Sequence, residues 1–276
     1  MERQFSGASP ELVANHPCFS KEAHYQFGKI HLPIGSSCNI HCRYCAVGAN
    51  RHQQHHTTSP ERAVQIIAQA LKDNPQLAVV GIAGPGEPLA ADSTLELLEE
   101  VHQCFPQLLK CLSTNGLLLY DYAARLAAAG VRTVNVTMNA VHHPILKQLC
   151  SYLYYQGQYV TGEHAARMLL SSQIAGIREL IASGVTVRVS TVLIPEVNEN
   201  HIEAIAKTAA FLGVAQLNLI PFVPHRNAAF APPTPLQLYQ ARQIAAQYLP
   251  VCEVSQQCGL DTCGAACFES DSGLNS

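Results

Sequence analysis

The stretch KIHLPIGSSCNIHCRYC, residues 29–45, decides the predicted fold because it joins an apolar run to three cysteines. Residues 28–34 are predicted as a buried strand, and Cys38, Cys42 and Cys45 follow it at a CxxxCxxC spacing. A structural zinc site takes four ligands, whereas an iron–sulfur cube held by three thiolates keeps one iron open. The stretch therefore predicts a strand that ends in a metal-binding loop with one position left for another ligand.

Strands and helices alternate along the rest of the chain. Five further apolar or β-branched stretches, bounded by Gly, Pro or polar residues, are predicted as strands: 77–84, 108–114, 131–138, 185–193 and 214–221. Helical patterns lie between them, and this alternation favours a parallel sheet with right-handed crossovers. Such a sheet is either open or curled into a partial barrel, and we predict an α/β fold of the second kind, a partial (βα)6 TIM-like barrel with a cysteine-rich C-terminal tail. Ligands are expected at the carboxyl ends of its strands.

Local signals predict where several helices begin and end. Ser59 is a candidate N-cap with Pro60 at the first helical position, and Ser93 with Glu96 forms a candidate capping box. Gly213 is a candidate left-handed C-cap. These signals support the helical assignments between the strands.

The chain divides into three predicted parts. Residues 1–27 form an N-terminal segment, 28–250 the barrel and 251–276 a tail too poor in apolar residues to fold without an anchor. Within the barrel, 46–58 is predicted as a polar loop and 140–165 as a longer irregular insertion.

Composition excludes several classes of partner. The formal charge is -3 with no block of like charges, so neither nucleic acid nor a membrane surface is predicted as a partner. The N-terminus lacks the pattern of a secretory signal, and no apolar run reaches the length that spans a bilayer, which predicts a cytoplasmic protein.

Eleven cysteines in a reducing compartment favour metal binding or redox chemistry over disulfides. The isolated Cys104 and Cys150 are expected to act as small apolar side chains.

A second motif, GPGEP at residues 84–88, follows the second predicted strand. Gly84 and Gly86 lack Cβ atoms and would let the backbone approach a ligand, while Pro85 and Pro88 stiffen the turn. An ordinary turn between a strand and a helix is the alternative interpretation.

The CxxxCxxC loop together with GxGEP after the next strand resembles the radical SAM superfamily. That resemblance implies that the three loop cysteines bind a [4Fe–4S] cluster whose fourth iron is chelated by S-adenosylmethionine (SAM). It implies that the turn with Gly84, Gly86 and Glu87 binds the methionine ammonium. One electron would then cleave SAM and give a 5′-deoxyadenosyl radical.

Four polar residues match positions where this superfamily contacts the ribose and the methionine carboxylate. Ser190 and Asn218 are placed at the ends of later strands, and Asn115 and Asn139 are placed similarly. Each could equally be a hydrogen-bonded polar residue at a strand end.

Within the superfamily, residues 16–45 resemble the NifB family of nitrogenase cofactor biosynthesis proteins, and the resemblance extends to about residue 224. It continues through four segments: VVGIAGPGEPLA (79–90), CLSTNGLLL (111–119), VNVTMNA (134–140) and STVLIPEVNENH (190–201). The resemblance implies fusion of two further [4Fe–4S] clusters into an eight-iron core with insertion of a carbide from SAM. It also implies protein partners that donate clusters and, as a ferredoxin or flavodoxin, electrons.

The NifB resemblance implies one or two additional clusters beside the SAM-binding one. Cys18 and Cys111 match two ligands of the first, and His16 or His24 is the candidate third. Imidazole is a neutral donor, which suits a site that later releases its cluster. The alternative for Cys111 is core packing on a strand.

Two departures from the NifB pattern leave other functions open. The loop after CxxxCxxC is shorter and lacks a cysteine, and the tail carries Cys258, Cys263 and Cys267 at CxxxxCxxxC. These three could bind a cluster, alone or with a histidine of 52–56, or they could bind zinc or nothing.

The alternatives to a NifB-like function are therefore a radical SAM maturase of a peptide or small molecule and a non-catalytic iron–sulfur or zinc protein. A rigid turn beside the cysteines argues against the last. No side chain is assigned a catalytic role.

Overall fold

Six parallel strands form the centre of the molecule. The computed structural model describes residues 9–45, 57–224 and 229–252. Numbered in chain order, the strands of this sheet are Gly28–Pro33 (β1), Leu77–Ala83 (β3), Leu109–Thr114 (β4), Val131–Thr137 (β5), Thr186–Leu193 (β8) and Gln216–Pro221 (β9). Their spatial order, β1-β3-β4-β5-β8-β9, follows the chain order, and every pairing is parallel. The sheet curls into a half-barrel, which confirms the predicted fold and its six strands.

Helices cover the outer face of the sheet. They are Pro10–Asn15 (α1), Lys21–Gln26 (α2), Pro60–Asp73 (α3), Ser93–Cys104 (α4), Leu119–Ala128 (α5), His143–Leu149 (α6), Gly162–Ala182 (α7), Pro195–Asn198 (α8), Ile202–Leu212 (α9) and Pro235–Ala245 (α10). The main core packs strand residues such as Ile30 and Val134 against helix residues such as Ile67 and Ile205. Because successive strand residues alternate between faces, the neighbours of these core residues line the inside of the half-barrel.

Three predicted helix ends can be compared with the structure. Ser59 accepts a hydrogen bond from the third residue of α3, and Gly213 has a φ of 83° after α9, so both predictions are confirmed. The Ser93 capping box is wrong. Asp92 precedes α4 in a helical conformation, and its side chain makes no capping bond. The short 3-10 turn Pro88–Ala90 leads into α4, and the Thr94 amide donates to the backbone carbonyl of Ala91 at 3.1 Å. This backbone bond satisfies an amide of the first helical turn that a side-chain cap would otherwise serve.

The prediction of an irregular segment over 140–165 is wrong. This segment forms α6 and a hairpin of two antiparallel strands, Cys150–Tyr155 (β6) and Gln158–Thr161 (β7), and β6 also pairs antiparallel with Ile40–Cys42 (β2). Gln156 and Gly157 close the hairpin with φ values of 48° and 81°. Residues with positive φ are typical of a two-residue hairpin turn. The partner β2 lies on the cysteine loop, far away along the chain, so local periodicity did not reveal the sheet.

The N-terminal segment closes the amino end of the half-barrel. Leu12, Cys18 and Phe19 pack with Ala215, which precedes β9, and with Leu109 at the start of β4. At the other end of the described chain, the Cys252 amide donates to the carbonyl of Leu217 on β9 at 2.8 Å. None of the helices in the described residues has the length and hydropathy needed to cross a bilayer.

Candidate functional site

Three cysteines follow the carboxyl end of β1 and form what we call the upper cysteine loop: Cys38, Cys42 and Cys45. All three thiols are free. The Cys45 amide donates to the Cys42 carbonyl at 3.3 Å, which closes a turn between them. The structure thus brings the three predicted cluster ligands together at the end of the sheet where this fold places its chemistry.

Burial makes two of these thiols, Cys38 and Cys42, costly to ionise without a positive partner. Although part of Cys38 reaches solvent, the protein surrounds most of it, and burial raises its pKa to about 11, with contributions from Glu87 and Cys45. Burial also raises the pKa of Cys42 well above its usual range. Such thiols favour a cationic metal partner. In the described residues, no three His, Cys, Asp or Glu side chains form a site for a metal ion. In a [4Fe–4S] cluster each thiolate binds a different iron, so the thiols of Cys38, Cys42 and Cys45 fit a cluster rather than a single metal ion.

The GPGEP turn packs directly against the segment that precedes Cys38. A Cβ at Gly84 would lie 2.2 Å from the carbonyl oxygen of Ile34, and one at Gly86 would lie 2.0 Å from that of Ser37. The Gly86 amide donates to the Gly35 carbonyl at 2.9 Å. Gly84 and Gly86 therefore allow the turn to pack closely against the protein's own backbone, whereas the sequence suggested a close approach to a ligand. The turn fixes the start of the upper cysteine loop.

The Glu87 carboxylate lies inside this contact and is 2% exposed. It accepts hydrogen bonds from the amide of Leu89 at 3.1 Å, the hydroxyl of Thr114 at 2.6 Å and the amide of Asn115 at 2.7 Å. Burial raises the pKa of Glu87, and these donors oppose that rise. The Asn115 side chain in turn donates to Asn39 Oδ1 at 2.7 Å. Glu87 and Asn115 thus connect the end of β4 to both the turn and the cysteine loop.

Cys150 is a fourth thiol beside the upper cysteine loop. It is the pairing partner of Cys42 in the β2–β6 ladder and is 3% exposed. Its Sγ donates to the Tyr152 carbonyl at 3.5 Å, and burial, followed by the charge of Cys38, raises its pKa to about 11. The prediction that Cys150 acts as a small apolar side chain is confirmed, since it is buried in an apolar cluster with Ile40 and Leu153. Its position beside the cysteine loop was not predicted, because the antiparallel pairing of distant segments brings it here.

Asn139 holds Tyr44 next to Cys45. Its Nδ2 donates to the Tyr44 hydroxyl at 2.6 Å, and its Oδ1 accepts from the Val192 amide at 2.8 Å. With partners at both ends of its amide, Asn139 orders the loop from the end of β5.

Ser190 and Asn218 lie within their strands rather than at strand ends, so the predicted placement is wrong. Ser190 Oγ donates to Asn135 Oδ1 at 2.7 Å, and Asn218 Nδ2 donates to Ser190 Oγ at 3.4 Å. All three are buried, and Asn218 Oδ1 has no hydrogen-bond partner within the described part of the chain. They form a polar layer inside the half-barrel, below the upper cysteine loop.

A second cysteine cluster lies at the amino end of the half-barrel, and we call it the lower cysteine site: His16, Cys18, Lys29 and Cys111. All four side chains are at most 4% exposed. Lys29 Nζ lies 3.5 Å from Cys18 Sγ and 4.0 Å from Cys111 Sγ. His16 Nδ1 accepts from the Cys18 amide at 3.1 Å, and Arg188 donates to the Cys18 carbonyl at 3.4 Å.

The electrostatics of the lower site differ from those of the upper loop. Burial would raise the pKa of Cys111, but the Lys29 ammonium and a hydrogen bond from His16 outweigh it and lower the pKa. Burial lowers the pKa of His16, which favours the neutral imidazole that binds metals. Of the two candidate histidines, His16 makes these contacts, whereas His24 packs edge-on against Tyr25 at 5.4 Å. The sequence did not single out Lys29 or Arg188.

Other predicted ligands cannot be placed. Cys258, Cys263 and Cys267, and the histidines of 52–56, lie outside the described residues.

The chain is similar in sequence to a known superfamily and to curated proteins. A family model described as the radical SAM superfamily matches residues 32–209. The FeMo cofactor biosynthesis protein NifB of Methanocaldococcus jannaschii is 37% identical over 272 residues, which cover 96% of this chain and 90% of that protein. The NifB protein of Chlorobaculum tepidum is 34% identical over 91% of this chain and 62% of its own length.

Solved structures share the fold at low sequence identity. SuiB of Streptococcus suis, solved with S-adenosylmethionine, has a TM-score of 0.63 at 15% identity and covers 82% of this chain and 50% of its own. HydG, a maturase of the [FeFe]-hydrogenase, has a TM-score of 0.60 at 14% identity, over 90% of this chain and 57% of its own.

Proposed function

Because this chain belongs to the radical SAM superfamily and, within it, to the NifB family, we propose that it is a SAM-dependent enzyme that assembles the iron–sulfur core of a nitrogenase-type cofactor. The observation that carries this proposal is the lower cysteine site. Its two thiols and one imidazole form a second soft donor set, separate from the upper cysteine loop. A radical SAM enzyme that binds no cluster besides the SAM-binding one needs no such set at the base of its half-barrel.

We propose that Cys38, Cys42 and Cys45 hold a [4Fe–4S] cluster whose open iron binds SAM. When bound, that cluster supplies the electron that cleaves SAM into methionine and a 5′-deoxyadenosyl radical. The protein positions the loop through the backbone of Gly84 and Gly86, and the buried Glu87 anchors the turn to β4. The upper face of the turn remains the proposed contact for the methionine group.

The lower site would take a precursor [4Fe–4S] cluster as substrate. Cys18, Cys111 and His16 would be its ligands, and the neutral imidazole provides a weaker donor for a cluster that must leave. We propose that the buried Ser190 and Asn218 lie between the two sites, where Asn218 Oδ1 has no hydrogen-bond partner in the described part of the chain.

Further proposals concern what lies beyond the two sites. The tail cysteines Cys258, Cys263 and Cys267 would hold an additional cluster. A ferredoxin or flavodoxin would deliver electrons, another iron–sulfur protein would deliver clusters, and the enzyme would act in the cytoplasm.

Iron and sulfide analysis after anaerobic reconstitution tests the proposal. Cys18→Ala and Cys111→Ala should each remove one cluster's worth of iron, whereas Cys104→Ala, at an exposed cysteine, should leave the iron content unchanged. The upper site should still cleave SAM to 5′-deoxyadenosine in all three variants. Equal iron content in Cys18→Ala, Cys111→Ala and the wild type would refute the cluster-assembly function.

A functional assay separates this proposal from a peptide or small-molecule maturase. The reconstituted enzyme, given SAM and reductant, should produce a core that activates a nitrogenase component lacking its cofactor. A maturase with an auxiliary cluster would bind the same iron but give no activation. Absence of 5′-deoxyadenosine would instead favour a non-catalytic iron–sulfur protein.

A further inference from the structure

Lys29 places a buried positive charge between two sulfur atoms. Its side chain is 1% exposed, and its ammonium lies 3.5 Å from Cys18 Sγ and 4.0 Å from Cys111 Sγ. A buried ammonium is costly unless it is paired and hydrogen-bonded. The two sulfurs that contact this charge come from segments before and after β1 in the chain. Lys29 therefore belongs to the lower cysteine site as its cation.

The neighbouring strand makes room for this side chain. A Cβ at Gly81, on β3 beside β1, would lie 2.8 Å from Lys29 Cε and 2.7 Å from the ring of His31. Any larger residue at position 81 would therefore push the lysine stem away from its place. The ammonium is fixed from one side by this close packing and from the other by the two sulfurs.

Lys110 provides an internal comparison. It is also 1% exposed and lies on β4 directly before Cys111. Because successive strand residues point to opposite faces, Lys110 faces away from Cys111, and its pKa is lowered by burial and by Arg132. Two buried lysines thus lie near one cysteine, and the Lys29 ammonium is the one directed at its sulfur, at 4.0 Å.

We infer that Lys29 is a positioning residue for the cluster bound at the lower site: its ammonium donates hydrogen bonds to sulfur and offsets the negative charge of the bound cluster. The inference rests on the proposed function, because it requires a cluster on Cys18 and Cys111. Hydrogen bonds to the sulfurs and the net charge nearby set the reduction potential of an iron–sulfur cluster. A fixed positive charge stabilises the reduced, more negative cluster. Lys29 should therefore raise the reduction potential of the lower cluster and slow the loss of its iron.

The test uses the full chain with Cys38, Cys42 and Cys45 all replaced by alanine, so that the upper cluster is absent. In this background, Lys29→Met, Lys29→Arg and Lys110→Met are reconstituted anaerobically. The midpoint potential is measured by redox titration followed by electron paramagnetic resonance, and iron release to a chelator is followed by absorbance. The signal belongs to the lower site if Cys18→Ser with Cys111→Ser abolishes it.

We expect Lys29→Met to shift the midpoint potential downward and to accelerate iron release several-fold. Lys29→Arg, which keeps the charge, should stay close to the parent, and so should Lys110→Met. Thermal unfolding of the cluster-free proteins checks that each variant folds. If Lys29→Met has the midpoint potential and the iron release rate of the parent, or if Lys110→Met changes both equally, the role of Lys29 is overturned. The proposed function would still stand. A parent protein with no signal dependent on Cys18 and Cys111 would overturn the proposed function as well.

Discussion

Single residues around the upper cysteine loop are positioned mainly by contacts within the protein. Glu87, which is predicted as a ligand contact, is bonded to three donors of the turn and of β4. Gly86 allows two backbones to approach where any side chain would collide with the Ser37 carbonyl. The precision of the site thus depends on residues that anchor the loop as much as on the cysteines themselves.

Gly86→Ala tests this anchoring. The new methyl group would lie 2.0 Å from Ser37 oxygen, so the turn must move away from the loop. We expect the free energy of unfolding to fall by about 2 kcal/mol. We also expect the protein to lose most of the iron at the upper loop. Gly157→Ala is the control, since nothing lies within 4 Å of its Cβ and only its φ of 81° is unfavourable. It should cost about 1 kcal/mol and leave the iron content unchanged.

Cys150→Ala tests whether the fourth thiol is a ligand. Its sulfur bonds to the Tyr152 carbonyl and packs among apolar residues such as Leu153. We therefore expect full iron content and normal cleavage of SAM, whereas Cys42→Ala should lose the upper cluster. Iron analysis and chromatography of 5′-deoxyadenosine give the comparison. Loss of the cluster in Cys150→Ala would show that Cys150 is a ligand.

At the scale of secondary-structure elements, the β6–β7 hairpin supports the cysteine loop. It pairs with β2, so the strand that carries Cys42 belongs to a three-stranded sheet rather than to a free loop. This sheet has its own apolar cluster, which includes Ile40, Leu146 and Leu153. Two or three short strands are stable only when a face is buried, and α6 and α7 cover this one.

Leu153→Ala should weaken this support. Leu153 is fully buried and is the pairing partner of Ile40, so its truncation leaves a cavity beside β2. We expect a loss of about 3 kcal/mol in the free energy of unfolding and faster loss of iron from the upper loop. Tyr159→Ala, on the same hairpin at 71% exposure, should change the stability by about 0.5 kcal/mol or less. Denaturant unfolding and chelator kinetics measure the two effects, and equal iron loss in both variants would contradict the role assigned to the hairpin.

At the scale of the whole molecule, the half-barrel separates two cysteine sites along its interior. The upper loop follows the carboxyl end of β1, and the lower site lies near the amino end, under α1 and α2. Buried polar residues, including Asn135, Arg188 and Asn218, lie on strands β5, β8 and β9 of the half-barrel. One fold thus carries the proposed SAM-binding loop at one end and a second donor set near the other.

Removal of residues 255–276 tests the predicted tail cluster. The truncated chain keeps Cys252, whose amide bonds to β9, and every residue of the two described sites. We expect the iron content to fall by one cluster while the cleavage of SAM and the unfolding temperature stay unchanged. An unchanged iron content would show that Cys258, Cys263 and Cys267 bind no cluster.

The sequence by itself determined the six strands, the parallel half-barrel and the position of the CxxxCxxC loop, because alternating apolar residues and Gly or Pro boundaries are local signals. Only the tertiary structure decided which side chains meet. It brought Cys150 to Cys42 through an antiparallel register and placed Lys29 between Cys18 and Cys111. The physical reason is that strand pairing and side-chain contacts depend on packing between distant segments, which no local pattern along the chain records.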